Sequence, residues 1–182
     1  MNTYIVLIRG INVGGKNKMP MSKLKAVLEE QGFSDVSTYI ASGNVILKSK
    51  IRSTEIRDTI EKVLPKNFDL DNKLLKVLVL TRKQLQSIIH NKPRGFGEQP
   101  DKYHCDAIFL IGIRAEKTIG LFSPREGIDK IWPGDGVIYS QRLSALRTKS
   151  RLNKIMSTPE YQLMTIRNWN TTLKLLELSR PQ

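Results

Sequence analysis

The order of short apolar segments along the chain is the feature that most constrains its fold. In the first half, runs rich in β-branched residues alternate with segments whose apolar residues recur at helical spacing. The strands are predicted at residues 3–9, 36–41, 45–48 and 74–80. One helix begins near Pro20 and ends at Gly32, and Ser53 or Thr54 is expected to cap the next. This β-α-β-β-α-β order is typical of the ferredoxin-like α/β plait.

The second half follows the same order after a connecting segment. Its strands are predicted at residues 104–111, 128–132, 137–141 and 164–167, and its helices at residues 115–122, 150–156 and 168–178. No residue string recurs, so the duplication is inferred from the pattern alone. We therefore predict an α+β fold of two ferredoxin-like subdomains in tandem, at residues 1–81 and 104–182, connected by a helix and a loop at residues 82–103.

Composition narrows the class of protein. Lys and Arg outnumber Asp and Glu, giving a net charge of +13, and the hydrophobic fraction of 40% is too high for a disordered chain. No apolar stretch approaches the roughly 20 residues that cross a bilayer, and no basic segment precedes the first apolar run as in a signal peptide. The single Cys105 allows no internal disulfide, so we expect a cytoplasmic protein without a membrane partner.

The positive charge is concentrated in two tracts that contain no acidic residue, at residues 1–28 and 136–159. Such tracts fit a phosphate-bearing partner or an acidic protein surface, or they serve solubility alone. Both tracts lie beside a sequence motif.

The first motif joins the end of the first strand to the first helix. In the plait, the turn between the second and third strands lies at the same edge, so residues 10–18 and 42–44 should be neighbours. A glycine-rich turn before a helix can aim several N–H groups at an anion. Alternatively, the glycines only supply positive φ, and the asparagines tie the turns together. The candidate anion-binding residues are Arg9, Gly10, Asn12, Gly14, Gly15, Lys16, Ser42, Gly43 and Asn44.

The second motif lies at the start of the last helix, which Asn168 or Thr165 can cap. Strand directions in the second plait place it at one edge with the second acid-free tract. An arginine there can clamp a phosphate or carboxylate with its planar fork, or it can tie the subdomains together through backbone carbonyls. This second basic edge comprises Arg147, Ser150, Arg151, Arg167 and Asn168.

Other site classes are poorly supported. The segment from Gly10 to Lys16 fits the spacing of a P-loop, but Asn17 stands where a Ser or Thr should hold Mg²⁺. The third strand carries no aromatic residue on which an RNA base could stack. His90 and His104 are the only histidines, and no metal-ligand spacing, nucleophile motif or cofactor motif accompanies them. We therefore identify no metal, no cofactor and no catalytic residue.

Three segments together carry a resemblance to a known family. They read RGINVGGKN at residues 9–17, TYIASGN at residues 38–44 and TIRNWNT at residues 165–171. In this order they closely resemble the bacterial DUF1697 family. The resemblance implies two α/β-plait subdomains, but no assigned activity and no catalytic residues.

Three hypotheses of function remain. The first is a protein that binds a phosphate-bearing or other anionic ligand, either a nucleotide-like small molecule or a nucleic acid backbone, at the glycine-rich loop. The second is an enzyme acting on an anionic substrate, with Arg9, Lys16 or Arg167 stabilising charge. The third is a basic protein-interaction module.

Overall fold

The computed structural model describes residues 1–71 and 75–180. It is a mixed α+β fold with two four-stranded antiparallel sheets and several helices. The strands are β1 (Asn2–Arg9), β2 (Ser34–Tyr39), β3 (Asn44–Ser49), β4 (Lys76–Thr81), β5 (Tyr103–Leu110), β6 (Asp129–Gly134), β7 (Val137–Leu143) and β8 (Met164–Asn168). The helices are α1 (Met21–Glu30), α2 (Ser53–Asn67), α3 (Arg82–His90), α4 (Ala115–Thr118) and α5 (Trp169–Leu178). Short 3-10 helices cover Ile119–Leu121, Ser144–Lys149, Leu152–Ser157 and Pro159–Leu163.

Contacts divide the chain into two compact units. Unit 1 comprises residues 1–86 and 174–182, and unit 2 comprises residues 87–173. Both divisions fall inside helices, α3 and α5. The boundaries of these units therefore differ from those of the expected subdomains, because the expected boundaries lie at the ends of predicted helices and strands.

The sheet of unit 1 has the strand order β2-β3-β1-β4, with β1 hydrogen-bonded on both sides. Tyr4 to Ile8 are buried on both faces of this central strand, which explains the unbroken apolar run. The apolar stripe of α1 is buried, and so is that of α2, and both belong to the core cluster of this unit. Each fully buried Leu, Ile or Val side chain contributes about 1.5–3 kcal/mol to folding.

The helix ends of unit 1 agree only in part with those predicted from the sequence. Gly32, with φ +84°, follows the end of α1 as expected. The expected cap of α2 by Ser53 or Thr54 is wrong, because both residues lie inside the helix. The helix instead begins after Arg52, whose backbone N–H donates to the Glu55 carboxylate at 3.1 Å. Leu74, the expected first residue of the fourth strand, lies outside the described residues.

The sheet of unit 2 has the order β6-β7-β5-β8, so β5 takes the place that β1 has in unit 1. An aromatic cluster is centred on Phe96, which is fully buried. Its ring meets Trp169, Tyr139 and Trp132 edge to face, at centroid distances of 4.9, 5.3 and 6.0 Å. Phe96 lies in the turn at residues 94–97, so a turn residue is the centre of this cluster.

One helix expected in unit 2 is absent from the described chain. Residues 150–156 fall largely in 3-10 helix, in which the backbone N–H of Lys154 donates to the Arg151 carbonyl three residues earlier. Two buried side chains are compatible with this geometry. Leu152 and Ile155 are three residues apart, a spacing that aligns side chains on a 3-10 helix.

Candidate anion-binding site

The glycine loop, residues 10–18, is a small closed hairpin. Its backbone turns through positive φ at several residues: Gly10, Asn12, Gly14, Gly15 and Asn17. The N–H of Asn12 donates to the Asn17 carbonyl at 3.0 Å, and the N–H of Lys16 donates to the Val13 carbonyl at 3.0 Å. Gly14 and Gly15 therefore form the tip, and they are exposed.

The Asn12 side chain braces the loop on both of its polar atoms. Its Oδ1 accepts the N–H of Met19 at 2.7 Å, and its Nδ2 donates to the Met19 carbonyl at 3.0 Å. The same Nδ2 donates to the Ala41 carbonyl at 2.9 Å. Because Ala41 belongs to the turn between β2 and β3, this bond brings the glycine loop against that turn, as the plait geometry predicted.

A second asparagine fixes the other side of the loop. Asn17 is only 8% exposed, and its Nδ2 donates to the Gly10 carbonyl at 2.7 Å. Its Oδ1 accepts the N–H of Asp71 at 2.8 Å. The position that a P-loop gives to a Mg²⁺-binding hydroxyl is therefore occupied here by a buried amide that holds the backbone.

The β2–β3 turn is also braced from within. Gly43 accepts a hydrogen bond from the N–H of Ile8 at 2.8 Å through its carbonyl oxygen. Asn44 is fully buried, and its Nδ2 donates to the Tyr39 carbonyl at 3.0 Å and to the Ser42 hydroxyl at 2.9 Å. The structural role expected as the alternative for Asn12 and Asn44 is thus present. It is compatible with a ligand at the exposed tip, which these side chains do not occupy.

The exposed part of this edge is basic. Lys16 and Lys18 are exposed, and Arg9 is half-buried at the end of β1. The first turn of α1 carries no acidic residue, and its N-terminus has no side-chain cap. Its backbone N–H groups and its dipole therefore add positive potential to that of the lysines.

Two apolar side chains, one in the glycine loop and one in the β2–β3 turn, are also exposed. Val13 is 66% exposed and Ile40 is 53% exposed. Ile40 also adopts a φ of +49°, a conformation that β-branched residues rarely take.

The second basic edge divides into exposed and buried members. Arg147 and Arg151 are exposed. Arg167 is only 7% exposed, and its guanidinium donates to the Thr165 hydroxyl at 2.9 Å and to the Ile166 carbonyl at 2.8 Å. Burial lowers the pKa of Arg167 to about 10. The structure therefore does not bring Arg167 to the same exposed surface as the other two arginines.

The remaining members of this edge stabilise local structure. Asn168 accepts the N–H of Asn170 at 3.0 Å through Oδ1, so it caps α5 as expected. Ser150 accepts the N–H of Leu152 at 3.3 Å through its hydroxyl. The backbone of Arg151 is held by the buried Asp129 carboxylate, which accepts its N–H at 2.9 Å.

The sequence interpretation missed one polar cluster, which consists of His104, Asp106 and Arg142. The His104 imidazole lies 3.1 Å from one Asp106 oxygen, and the Arg142 guanidinium donates to the other at 3.0 Å. Residues two apart on a strand share a face. The spacing of His104 and Asp106 on the predicted strand is therefore the signal that could have found the cluster.

Within the described part of the chain, no helix has the length and apolar character needed to cross a membrane. Nor do the described residues bring three or more His, Cys, Asp or Glu side chains together as metal ligands.

The fold and this edge define the class: an α+β protein of two four-stranded antiparallel sheets with an asparagine-braced glycine loop. A family model described as "Protein of unknown function (DUF1697)" matches residues 1–139, and the chain belongs to that family. The resemblance inferred from the motifs is confirmed. The third motif, at residues 165–171, lies beyond the matched segment.

A solved structure of a bacterial protein has the same fold. The conserved bacterial protein SP0830 from Streptococcus pneumoniae superposes with a TM-score of 0.83 at 23% identity. The match covers 98% of this chain and 99% of that one. At this identity the likeness shows the fold. A comparison with curated proteins finds no match.

Proposed function

We propose that the protein binds a phosphate-bearing or other anionic ligand at the tip of the glycine loop. The observation that carries the proposal is the contrast within this loop. Asn12 and Asn17 hold its backbone from inside, while Gly14, Gly15 and Lys16 stay exposed. A loop fixed before binding loses little conformational entropy when a ligand arrives, which favours affinity.

Charge supports an anion in particular. Lys16 and Lys18 are exposed, and the sequence contains no carboxylate side chain before Glu29. The uncapped N-terminus of α1 follows the loop directly, and helix N-termini favour negative charge. A Cβ at Gly14 or Gly15 would meet nothing within 4 Å, so the space around the tip is open to a ligand.

The mode of binding differs from that of a P-loop. The hairpin closes on itself through the Lys16 N–H bond to Val13, whereas a P-loop wraps its N–H groups around the phosphates. In addition, α1 begins at Met21, four residues after the position of the P-loop hydroxyl. We therefore propose contact with one or two phosphate groups at an exposed tip rather than an enclosed nucleotide phosphate chain.

Stacking of RNA bases on the sheet of unit 1 is not favoured. Tyr4 is the aromatic residue of the central strand β1, and it is 4% exposed with its hydroxyl bonded to the Ile51 carbonyl. If the ligand is a nucleic acid, we propose that the protein contacts its backbone. Arg147 and Arg151 in unit 2, with the neighbouring Lys149 and Lys154, offer a second exposed basic surface for such contacts.

The proposal extends to architecture and location. We propose that each unit is a ferredoxin-like plait and that the two follow in tandem, which is supported by the corresponding strand orders, with β5 in place of β1 and β8 in place of β4. We also propose a cytoplasmic location, which is supported by the single, free and buried Cys105.

The test measures binding of pyrophosphate, ADP and a short single-stranded RNA by thermal shift and by NMR. The variant Lys16→Ala/Lys18→Ala removes two exposed charges from the loop, and Lys50→Ala/Lys83→Ala removes two from the opposite end of the unit 1 sheet as a control. At about 0.7 kcal/mol for each contact, the loop variant should bind about tenfold more weakly. The control variant should bind as the wild type does.

The dependence of affinity on salt concentration distinguishes a nucleic acid ligand from a small phosphate-bearing ligand. Affinity for a nucleic acid backbone should fall steeply as salt rises, and it should fall further for Arg147→Ala/Arg151→Ala. Affinity for pyrophosphate should depend less on salt and not at all on those arginines. The proposal is wrong if no phosphate compound raises the melting temperature at low salt, or if both lysine variants lose binding equally.

A further inference from the structure

Unit 2 contains a cavity of about 170 Å³ where strand β5 and helix α5 both begin. Three consecutive residues of the third motif, Asn168, Trp169 and Asn170, form part of its wall. The cavity opens to solvent beside Ser144 and Asn170, which are both exposed. The glycine loop contributes no residue to this wall, so a ligand in the cavity is independent of anion binding at that loop.

The indole N–H of Trp169 is a hydrogen-bond donor without a partner in the described parts of the chain. Trp169 is 4% exposed, and its N–H donates to no acceptor within residues 1–71 and 75–180. Its Nε1 atom is nevertheless not fully enclosed by protein atoms. An indole N–H can only donate, and a buried donor that lacks an acceptor is unfavourable. This group therefore has the capacity to bind an acceptor from outside the chain.

The contact between Gly97 and Trp169 relates this donor to the cavity. Both residues line the cavity, and a Cβ built on Gly97 would lie 2.6 Å from both Cδ1 and Nε1 of the indole. Gly97 thus packs against the edge of the indole that carries the N–H. Because both sides of this contact belong to the wall, the indole donor borders the cavity. Any side chain at residue 97 would fill the space beside that donor.

The surroundings favour an acceptor that carries negative charge. The described residues that line the cavity include no Asp or Glu, and the first turn of α5 contains no acidic residue. The free N–H groups and the dipole of this helix N-terminus add positive potential. The Lys102 ammonium lies 5.2 Å from the centre of the Tyr103 ring, and Tyr103 is part of the wall. Glu98, which follows Gly97, is paired with the ammonium of Lys92 at 3.0 Å.

We propose that this cavity binds a carboxylate group, one oxygen of which accepts the indole N–H of Trp169. The Asn170 amide and the Ser144 hydroxyl make no hydrogen bond within the described residues, so both can donate to the remaining lone pairs of the carboxylate.

A carboxylate suits this lining better than a phosphate does. The described lining residues include no Lys or Arg, and a phosphate carries up to two negative charges that would have to leave water. A single negative charge can be stabilised by neutral donors and a helix N-terminus. Small free acids and the C-terminus of a peptide both present such a group.

The test follows the two indole N–H signals of ¹⁵N-labelled protein by NMR at constant ionic strength. Trp132, which does not line the cavity, is the internal control, and Trp132→Phe assigns the signals. The probes are acetate and its neutral analogue acetamide, together with N-acetyl-diglycine and the C-terminal amide of the same peptide. None of them carries phosphate, and the reporter lies in unit 2. A failure here therefore leaves the glycine-loop proposal untouched, and the reverse also holds.

Acetate should move the Trp169 N–H signal downfield in a saturable way, with a Kd near millimolar, whereas acetamide should move it much less and Trp132 should not respond. Trp169→Phe keeps an aromatic ring and removes the donor, so acetate binding measured from the backbone amides of residues 168–170 should weaken about tenfold. Tighter binding of the free peptide than of acetate identifies a chain terminus as the ligand, and the opposite order identifies a small acid.

Two glycine variants provide a matched comparison. Gly97→Ala should abolish acetate binding, because its Cβ would occupy the space beside Nε1 of Trp169. Gly95→Ala should bind as the wild type does, since Gly95 has a similar φ of +82° but a Cβ there would meet nothing within 4 Å.

Three results overturn the proposal. The first is a Trp169 signal that acetate at about 50 mM leaves unchanged or moves no more than the Trp132 signal. The second is an equal response to acetamide and the peptide amide, which shows that the cavity does not prefer a negative charge. The third is unchanged acetate binding by Trp169→Phe, with folding checked by circular dichroism.

Discussion

Replacing Gly43 with Ala tests the close contact between the β2–β3 turn and strand β1. Gly43 has a φ of +76°, and a Cβ built on it would lie 2.5 Å from the backbone oxygen of Ile8. The same Cβ would lie 3.0 Å from Cδ1 of Ile11. Because the nearest atom belongs to the backbone of the central strand, it cannot move aside as a flexible side chain could.

The magnitude follows from three contributions. An alanine in the left-handed region costs roughly 1–2 kcal/mol. Moving the turn away from β1 weakens the 2.8 Å bond from the Ile8 N–H to the Gly43 carbonyl, at about 1 kcal/mol, and overpacking adds about 1–3 kcal/mol. Gly43→Ala should therefore lower the free energy of unfolding by roughly 3–6 kcal/mol.

Gly32→Ala is the matched control. Gly32 has a φ of +84°, and a Cβ there would meet nothing within 4 Å, so only the backbone cost of roughly 1–2 kcal/mol applies. Urea unfolding followed by far-UV circular dichroism measures both variants, and amide exchange of β1 locates the loss. If the free energies of unfolding of the two variants differ by less than about 1 kcal/mol, the close contact is not the reason that residue 43 is a glycine.

Two further predictions concern buried ionisable groups of unit 2. Tyr139 donates from its hydroxyl to the Ile88 carbonyl at 2.6 Å, so Tyr139→Phe should lower the free energy of unfolding by about 1–3 kcal/mol in urea, and Tyr103→Phe should change it little. Burial raises the pKa of Tyr139 to about 12, above its unfolded value near 10. The stability that the protonated Tyr139 hydroxyl contributes is therefore full below about pH 10 and is lost as pH rises through about 12. A phenolate absorbance titration should show the late ionisation of Tyr139 in the wild type and should not show it in Tyr139→Phe. Burial also raises the pKa of Cys105, so iodoacetamide should alkylate it slowly in the native protein and rapidly in urea. Rapid native alkylation would contradict the buried, protonated thiol.

Much of the fold could be predicted because its apolar spacing is regular. The connecting helix was expected within residues 82–103, and α3 spans Arg82–His90. The final helix and both hairpins also lie where the apolar pattern placed them. Where the pattern is short, it is ambiguous: Leu152 and Ile155 suit a 3-10 helix as well as an α-helix, and only the hydrogen bond from the Lys154 N–H to the Arg151 carbonyl identifies a 3-10 helix.

The sequence predicted at which edge of the sheet the candidate site lies, but not which atoms are hydrogen-bonded to each other there. The glycine loop and the β2–β3 turn were expected at one edge, because strand order determines this. The partners of Asn12 and Asn17 are backbone atoms such as those of Ala41 and Asp71, far away in sequence. A backbone carbonyl has no residue-specific signature, so no motif could identify these bonds. The burial of Arg167 was also missed, because a charged residue is ordinarily predicted to lie on the protein surface.

The aromatic cluster of unit 2 has a practical consequence for spectroscopy. Both tryptophans of the chain, Trp132 and Trp169, contact Phe96 in that unit, and unit 1 has no indole. Fluorescence excited selectively at tryptophan therefore reports on unit 2 alone, whereas the far-ultraviolet amide signal comes from both sheets. A fluorescence melting curve that departs from the amide curve would mean that the two halves lose their structure at different temperatures.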